Sequence, residues 1–233
     1  MISLCDKLQI IGNSIARSVK LADRKENSVK LLAVSKLHPS SSIREAYACG
    51  QRMFGENYAQ EMLDKAEELH DLDIEWHFIG SLQSNKTKQV AAVASWVHTV
   101  DRLKIAKRLS EQRPEGMPPL SICLQVNISD EESKSGISAK ELPTLVEEVA
   151  KLPNILLRGL MVIPEVEANF DRQSAVFTSV RVLQEGLNTD NLAKDIVLDT
   201  LSMGMSTDMK AAIMEGATIV RVGTAIFGLR KES

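Results

Sequence analysis

Eight short apolar runs recur along the chain, and the stretches between them carry apolar residues at three- and four-residue spacing. The runs are LLAVS at 31–35, RMFG at 52–55, WHFIG at 76–80, WVHTV at 96–100, LSICLQVN at 120–127, ILLRGLMV at 155–162, IVLDTLSM at 196–203 and TIVRVG at 218–223. Among the helical stretches are IREAYACG, AQEMLDKAEEL, KTKQVAAVA, DRLKIAKRLSEQ, AKELPTLVEEVAKL and FDRQSAVFTSVRVLQEGL. Strands that alternate with helices pair in parallel, because a helix must carry the chain back over the sheet. Two α/β folds satisfy that pattern, a doubly wound open sheet and a closed (β/α)8 TIM barrel, and periodicity alone does not separate them. The count of eight, the length of 233 residues and the lack of GxGxxG after the first run favour the barrel, preceded by one extra N-terminal helix. PEGMPP at 114–119 reads as a loop rather than a linker, so residues 1–233 are expected to form a single domain.

The charge balance narrows the partners. A formal net charge of -3 with scattered basic residues gives no electrostatic reason to expect nucleic acid or an anionic membrane surface. The N-terminal segment is amphipathic and broken by charges, unlike a signal peptide, so a cytoplasmic protein is expected. Cys5, Cys49 and Cys123 lie far apart and are odd in number. They are read as excluding a disulfide framework and a CxxC metal site, and as fitting a reducing compartment.

In a parallel barrel, function gathers at the C-terminal strand ends and the loops that follow. Lys36 ends the first apolar run. There it is either a desolvated amine able to attack an aldehyde, or a strand-end lysine reaching for water. In SMGMSTDMKAA at 202–212, Ser206 or Thr207 is the expected N-cap and Asp208 falls in the first turn. The helix start and the two hydroxyls offer an anion site, against the plainer reading of a simple cap. Gly223 and Thr224 in VRVGTAIFG make a second candidate, and phosphate sites in barrels are commonly built after strands seven and eight. Arg221 shares a strand face with Gly223 and is expected just below a ligand, or in an ion pair deeper in the barrel. His77 is a ligand contact or a satisfied core residue. GENY at 55–58 and GSLQSNK at 80–86 are ligand-facing loops or helix caps, and Lys134 reads as a solvated loop lysine. The methionines at 203, 205 and 209 read first as packing. No HExxH, GxSxG or GxxxxGK[ST] appears.

LLAVSK, FGENYAQE, WHFIGSLQSNK, VNISDEESKSG, RGLMVIP, LSMGMSTD and RVGTAIFG are spread from residue 31 to residue 228. On these stretches the chain resembles the pyridoxal-phosphate homeostasis proteins, relatives of the barrel domain of bacterial alanine racemase. The resemblance implies a fold type III barrel that holds pyridoxal 5′-phosphate (PLP) as an internal aldimine on Lys36. It places Arg221 near the pyridine nitrogen and Ser206, Gly223 and Thr224 on the phosphate, with Asn57, His77, Met203 and Thr207 lining the pocket. Many relatives carry a second lysine two residues after the first. Here His38 stands in its place, which puts any role of that second lysine in doubt.

Racemases of this type take one acid/base group from a separate β domain, and the chain stops about five residues after IFG, so that domain is expected to be absent. An arginine at the ring nitrogen would also weaken the ring as an electron sink. The expectation is therefore a monomeric PLP carrier that buffers, protects or delivers the cofactor, with apo PLP-dependent enzymes as transient partners. A slow amino-acid racemase or decarboxylase is the alternative, and a cofactor-free aldolase using Lys36 a third reading.

Overall fold

A computed structural model describes residues 2–128, 135–193 and 196–229, and Lys134 lies outside them. In chain order come α1 (Leu4–Leu21), β1 (Lys30–Val34), α2 (Ser40–Ala48), β2 (Met53–Glu56), α3 (Ala59–Glu68), β3 (Glu75–Phe78), α4 (Thr87–Val93), β4 (Trp96–Val100), α5 (Leu103–Gln112) and β5 (Leu120–Asn127). Then follow β6 (Ile137–Ser138), α6 (Leu142–Val149), β7 (Ile155–Met161), α7 (Phe170–Thr189), β8 (Thr200–Ser202), α8 (Met209–Met214), β9 (Ile219–Val222) and α9 (Thr224–Phe227). The strand order β4-β3-β2-β1-β9-β8-β7-β5 is closed by pairing of β4 with β5, and the pairs are parallel. The result is the expected eight-stranded (β/α)8 barrel, with the two-residue β6 appended to β5 outside the ring.

Strand alternation sorts the side chains into two layers. Leu32 packs inside the barrel with Met53, Ile79 and Ile219. Its neighbour Ala33 joins the layer between sheet and helices, with Phe54, Phe78, Ile122 and Val220. Fully burying one such Leu, Ile or Phe contributes roughly 1.5–3 kcal/mol.

Helix α1 starts at a reciprocal capping box between Ser3 and Asp6 and buries Ile11, Ile15 and Val19. It packs on α2, α8 and α9. Since α8 and α9 are only six and four residues long, the extra helix completes cover that they leave short. A disulfide joins Cys5 of α1 to Cys49 at the end of α2, with Cα atoms 5.3 Å apart. This corrects the expectation of no disulfide: 44 residues of sequence separate the two cysteines, but helix packing brings them together. Among the described residues no helix is long and apolar enough to cross a membrane.

Candidate functional site

Lys36 lies two residues past the end of β1. Ser35, just before it, is fully buried and turns outward. Lys36 itself is half-buried and stands in the turn that follows the strand. The chain then turns sharply, with His38 N–H donating to Ser35 O at 3.1 Å and Leu37 at φ +61°.

Pairing of β1 with β9 puts Ala33 opposite Val222, so the start of the Lys36 turn adjoins Gly223. A Cβ at Gly223 would come within 3.1 Å of Val34 O, which explains the glycine by close strand packing. Thr224 follows at the start of α9 and is exposed. On the neighbouring β8 the chain leaves through Gly204, at φ +92°, where a Cβ would meet Ala212 Cβ at 2.5 Å. Ser206 and Thr207 come next, both exposed.

The N-cap of α8 is Asp208, not Ser206 or Thr207 as expected. Asp208 Oδ1 accepts from Met205 N–H at 2.5 Å, so the carboxylate closes the loop and the two hydroxyls are not needed for it. Burial raises the Asp208 pKa. Among the described residues, the hydroxyls of Ser206, Thr207 and Thr224 have no protein hydrogen-bond partner.

Asn57 stands at the end of β2, half-buried, with its Oδ1 buried and unpartnered. A side chain at Gly80 would collide with the Asn57 carbonyl, which is why the GSLQ loop opens on glycine. Asn57, Gly80, Ser81 and Lys86 help line a cavity of about 570 Å³ on this side of the mouth. Another of about 250 Å³ is lined in part by Asn127, Val162, Pro164 and Asp208.

Beneath the mouth, a polar chain crosses the barrel. Arg221 is 4% exposed and donates from Nη1 to Ser202 O at 2.6 Å and Ser202 Oγ at 2.9 Å, and from Nη2 to Val162 O at 2.9 Å. Ser202 Oγ lies 2.7 Å from His98 Nδ1, His98 Nε2 lies 2.8 Å from His77 Nδ1, and His77 Nε2 lies 3.1 Å from Glu75 Oε1. Among the described residues, Arg221 is therefore anchored on carbonyls and a hydroxyl rather than in a direct ion pair. Burial lowers its pKa to about 10. Burial likewise holds His77 below the ordinary imidazole value and His98 well below it, in the latter helped by the charges of His77 and Arg221.

Two expected pocket residues are buried in this structure. His77 is wholly buried, with both ring nitrogens committed and its ring stacked on Trp96 at 5.7 Å. Met203 is also wholly buried, because it follows inward-facing Ser202 and so faces the helix layer. Sequence reasoning missed His98 and Ser202, although His98 sits mid-strand in WVHTV at inward alternation with Trp96.

The closed parallel barrel is a fold shared with the alanine racemase of Corynebacterium glutamicum, 17% identical at a TM-score of 0.62 over 95% of this chain and 62% of that one. The family model "Alanine racemase, N-terminal domain" matches residues 12–231. The Pyridoxal phosphate homeostasis protein of Pseudomonas aeruginosa is 54% identical over 230 residues, which cover 99% of this chain and 97% of that one. Its counterpart in Vibrio cholerae is 53% identical over 237 residues, covering 100% and 99%. Among solved structures, PipY of Synechococcus elongatus PCC7942, with PLP bound, is 40% identical at a TM-score of 0.81, covering 92% of this chain and 100% of that one. This chain belongs to the pyridoxal phosphate homeostasis protein family.

Proposed function

We propose that this chain binds PLP and serves its homeostasis by buffering, protecting or delivering it, with Lys36 as the covalent anchor through a Schiff base. What supports this reading is that Lys36 and the segments carrying Ser206, Thr207 and Thr224 follow the neighbouring parallel strands β1, β8 and β9. The residues present fit the group: uncommitted hydroxyls suit a phosphate, and the orphaned Asn57 Oδ1 suits a polar ligand in the mouth. PLP supplies an aldehyde for the amine and a phosphate for the anion site. PipY, 40% identical, has PLP bound.

In this reading Ser206, Thr207, Gly223 and Thr224 hold the phosphate, and Asn57 lines the mouth. Arg221 faces the ring nitrogen as a permanent donor, which leaves that nitrogen unprotonated and the ring a weak electron sink. His77 and Met203 support the site from behind. A single domain, a monomer, a cytoplasmic location and transient contact with apo PLP-dependent enzymes complete the proposal.

The test is absorbance of the protein with added PLP, beside Lys36→Ala, followed by mixing with an apo PLP-dependent enzyme. A visible band that depends on Lys36 and stoichiometric activation of the apo-enzyme support the carrier. Amino-acid turnover in excess of protein supports the racemase or decarboxylase instead. A protein that takes up no PLP overturns the reading.

A further inference from the structure

We propose that Glu56, Glu61 and Lys65 form a positioning device that fixes the backbone on both sides of Lys36 and so aims its amine into the barrel mouth. The inference rests on the reading of Lys36 as the anchor. All three groups approach the turn from the helix side, opposite the mouth.

Glu56 is the outward residue at the end of β2 and is fully buried, and Lys65 on α3 is 5% exposed. Lys65 Nζ donates to Glu56 Oε1 at 2.8 Å, to Glu61 Oε1 at 2.7 Å and to Ser35 O at 2.9 Å, using all three of its protons. Ser35 Oγ–H donates to Glu56 Oε1 at 2.6 Å, so both the carbonyl and the side chain before Lys36 are held. On the other side, Leu37 N–H donates to Glu61 Oε1 at 2.6 Å.

That last bond falls on a strained residue. Leu37 has φ +61°, a region that branched L side chains rarely adopt and that turns usually assign to glycine. Its side chain is 50% exposed, so packing does not explain the conformation. A charge-assisted bond to its amide does. Strained backbone persists only where the surroundings over-determine it, and such residues cluster at functional sites. A buried ion cluster is also a poor choice for stability alone, since its desolvation offsets most of the attraction. Here Glu56 Oε2 and Glu61 Oε2 stay buried and unpartnered, so the cluster is not arranged for full satisfaction of its own members. Its well-made bonds go to the two residues that flank Lys36.

The test compares wild type, Glu61→Ala and Glu61→Ala/Leu37→Gly. Each is treated with PLP and borohydride, or with formaldehyde and cyanoborohydride, and modification of Lys36 is timed by peptide mass spectrometry. Formaldehyde needs no aim, whereas PLP must be met while its phosphate is held elsewhere. Glu61→Ala is expected to slow PLP capture at Lys36 by about tenfold or more, with formaldehyde labelling of Lys36 little changed. Glycine adopts positive φ without being held, so the added Leu37→Gly should restore much of the capture, which a merely structural role for Glu61 would not predict. Equal capture in wild type and Glu61→Ala, or failure of Leu37→Gly to restore it, overturns the positioning role alone. No capture at Lys36 in the wild type overturns the anchor reading and this inference with it.

Discussion

His98 Nε2 lies 2.8 Å from His77 Nδ1, both rings wholly buried inside the barrel. Burial lowers both pKa values and so favours neutral rings. With His77 neutral and its Nε2–H donating to the Glu75 carboxylate, His77 Nδ1 accepts from His98 Nε2–H, and His98 Nδ1 accepts from the Ser202 hydroxyl. Both rings are neutral with the proton on Nε2. Because their pKa values are lowered on folding, the unfolded state binds more protons below about pH 6.5. Stability from this pair is therefore present above that pH and is lost as pH falls toward the folded values. An NMR titration of the ring C–H signals should find both midpoints below 6.5, and a midpoint at or above it contradicts the assigned network.

Glu56 acts in the opposite sense. Burial raises its pKa to about 7, against the pull of Lys65 and Ser35, and with Glu61 adding to the rise. The folded state then binds more protons between about 4.5 and 7, so this group's contribution declines as pH rises through that window, by on the order of 3 kcal/mol in all. The Glu56→Gln variant should flatten that decline in urea unfolding measured from pH 5 to pH 7.5. The same slope in both proteins would contradict it.

The Cys5–Cys49 disulfide should raise stability by constraining the unfolded chain, by up to about 4 kcal/mol for a closed loop of this size. Reduction, or Cys49→Ala, is expected to lower Tm. Burial pushes the Cys123 thiol up to about 12, so it should react slowly. A thiol count on oxidised native protein should find no fast-reacting thiol, rising to two after mild reduction. Two fast thiols before reduction would show the cysteines unpaired.

Replacing Ser206 and Thr207 with alanine and valine removes two hydroxyls that no protein group uses among the described residues. Hydrogen bonds to a charged phosphate contribute about 1.5–3 kcal/mol each. The double variant should weaken PLP binding by at least about tenfold, with pyridoxal, which lacks the phosphate, affected little. Fluorescence or absorbance titration with the two ligands checks this, and equal losses for both would remove these residues from the phosphate site. Stability should be unchanged, because neither hydroxyl has a bond to lose among the described residues.

Much of this architecture was legible because barrels repeat a simple rule. β4 and β5 match their apolar runs residue for residue. β8 is shorter than its run because the Asn188 side chain bonds both the N–H and the carbonyl of Leu198 and holds that stretch off the ladder. β6 was missed, since a two-residue strand has no period. Lys36 falls just past the first strand, as its place in the sequence implied, and the motifs gave the family. What stayed hidden depends on contacts between elements. Sequence could show Glu61 and Lys65 one helical turn apart, but not that Glu56 faces them across the barrel–helix gap. It left His77 open between ligand and core, and only the register with His98 reveals the buried network that the ring joins.

The central claim is that Lys36 anchors PLP at this mouth, and borohydride reduction followed by peptide mapping tests it most directly. The protein is incubated with PLP, reduced and digested, and the attachment site is identified by mass. The account predicts one dominant phosphopyridoxyl adduct, on the peptide containing Lys36, and its loss in Lys36→Ala. Adducts scattered over surface lysines, unchanged in that variant, would contradict it.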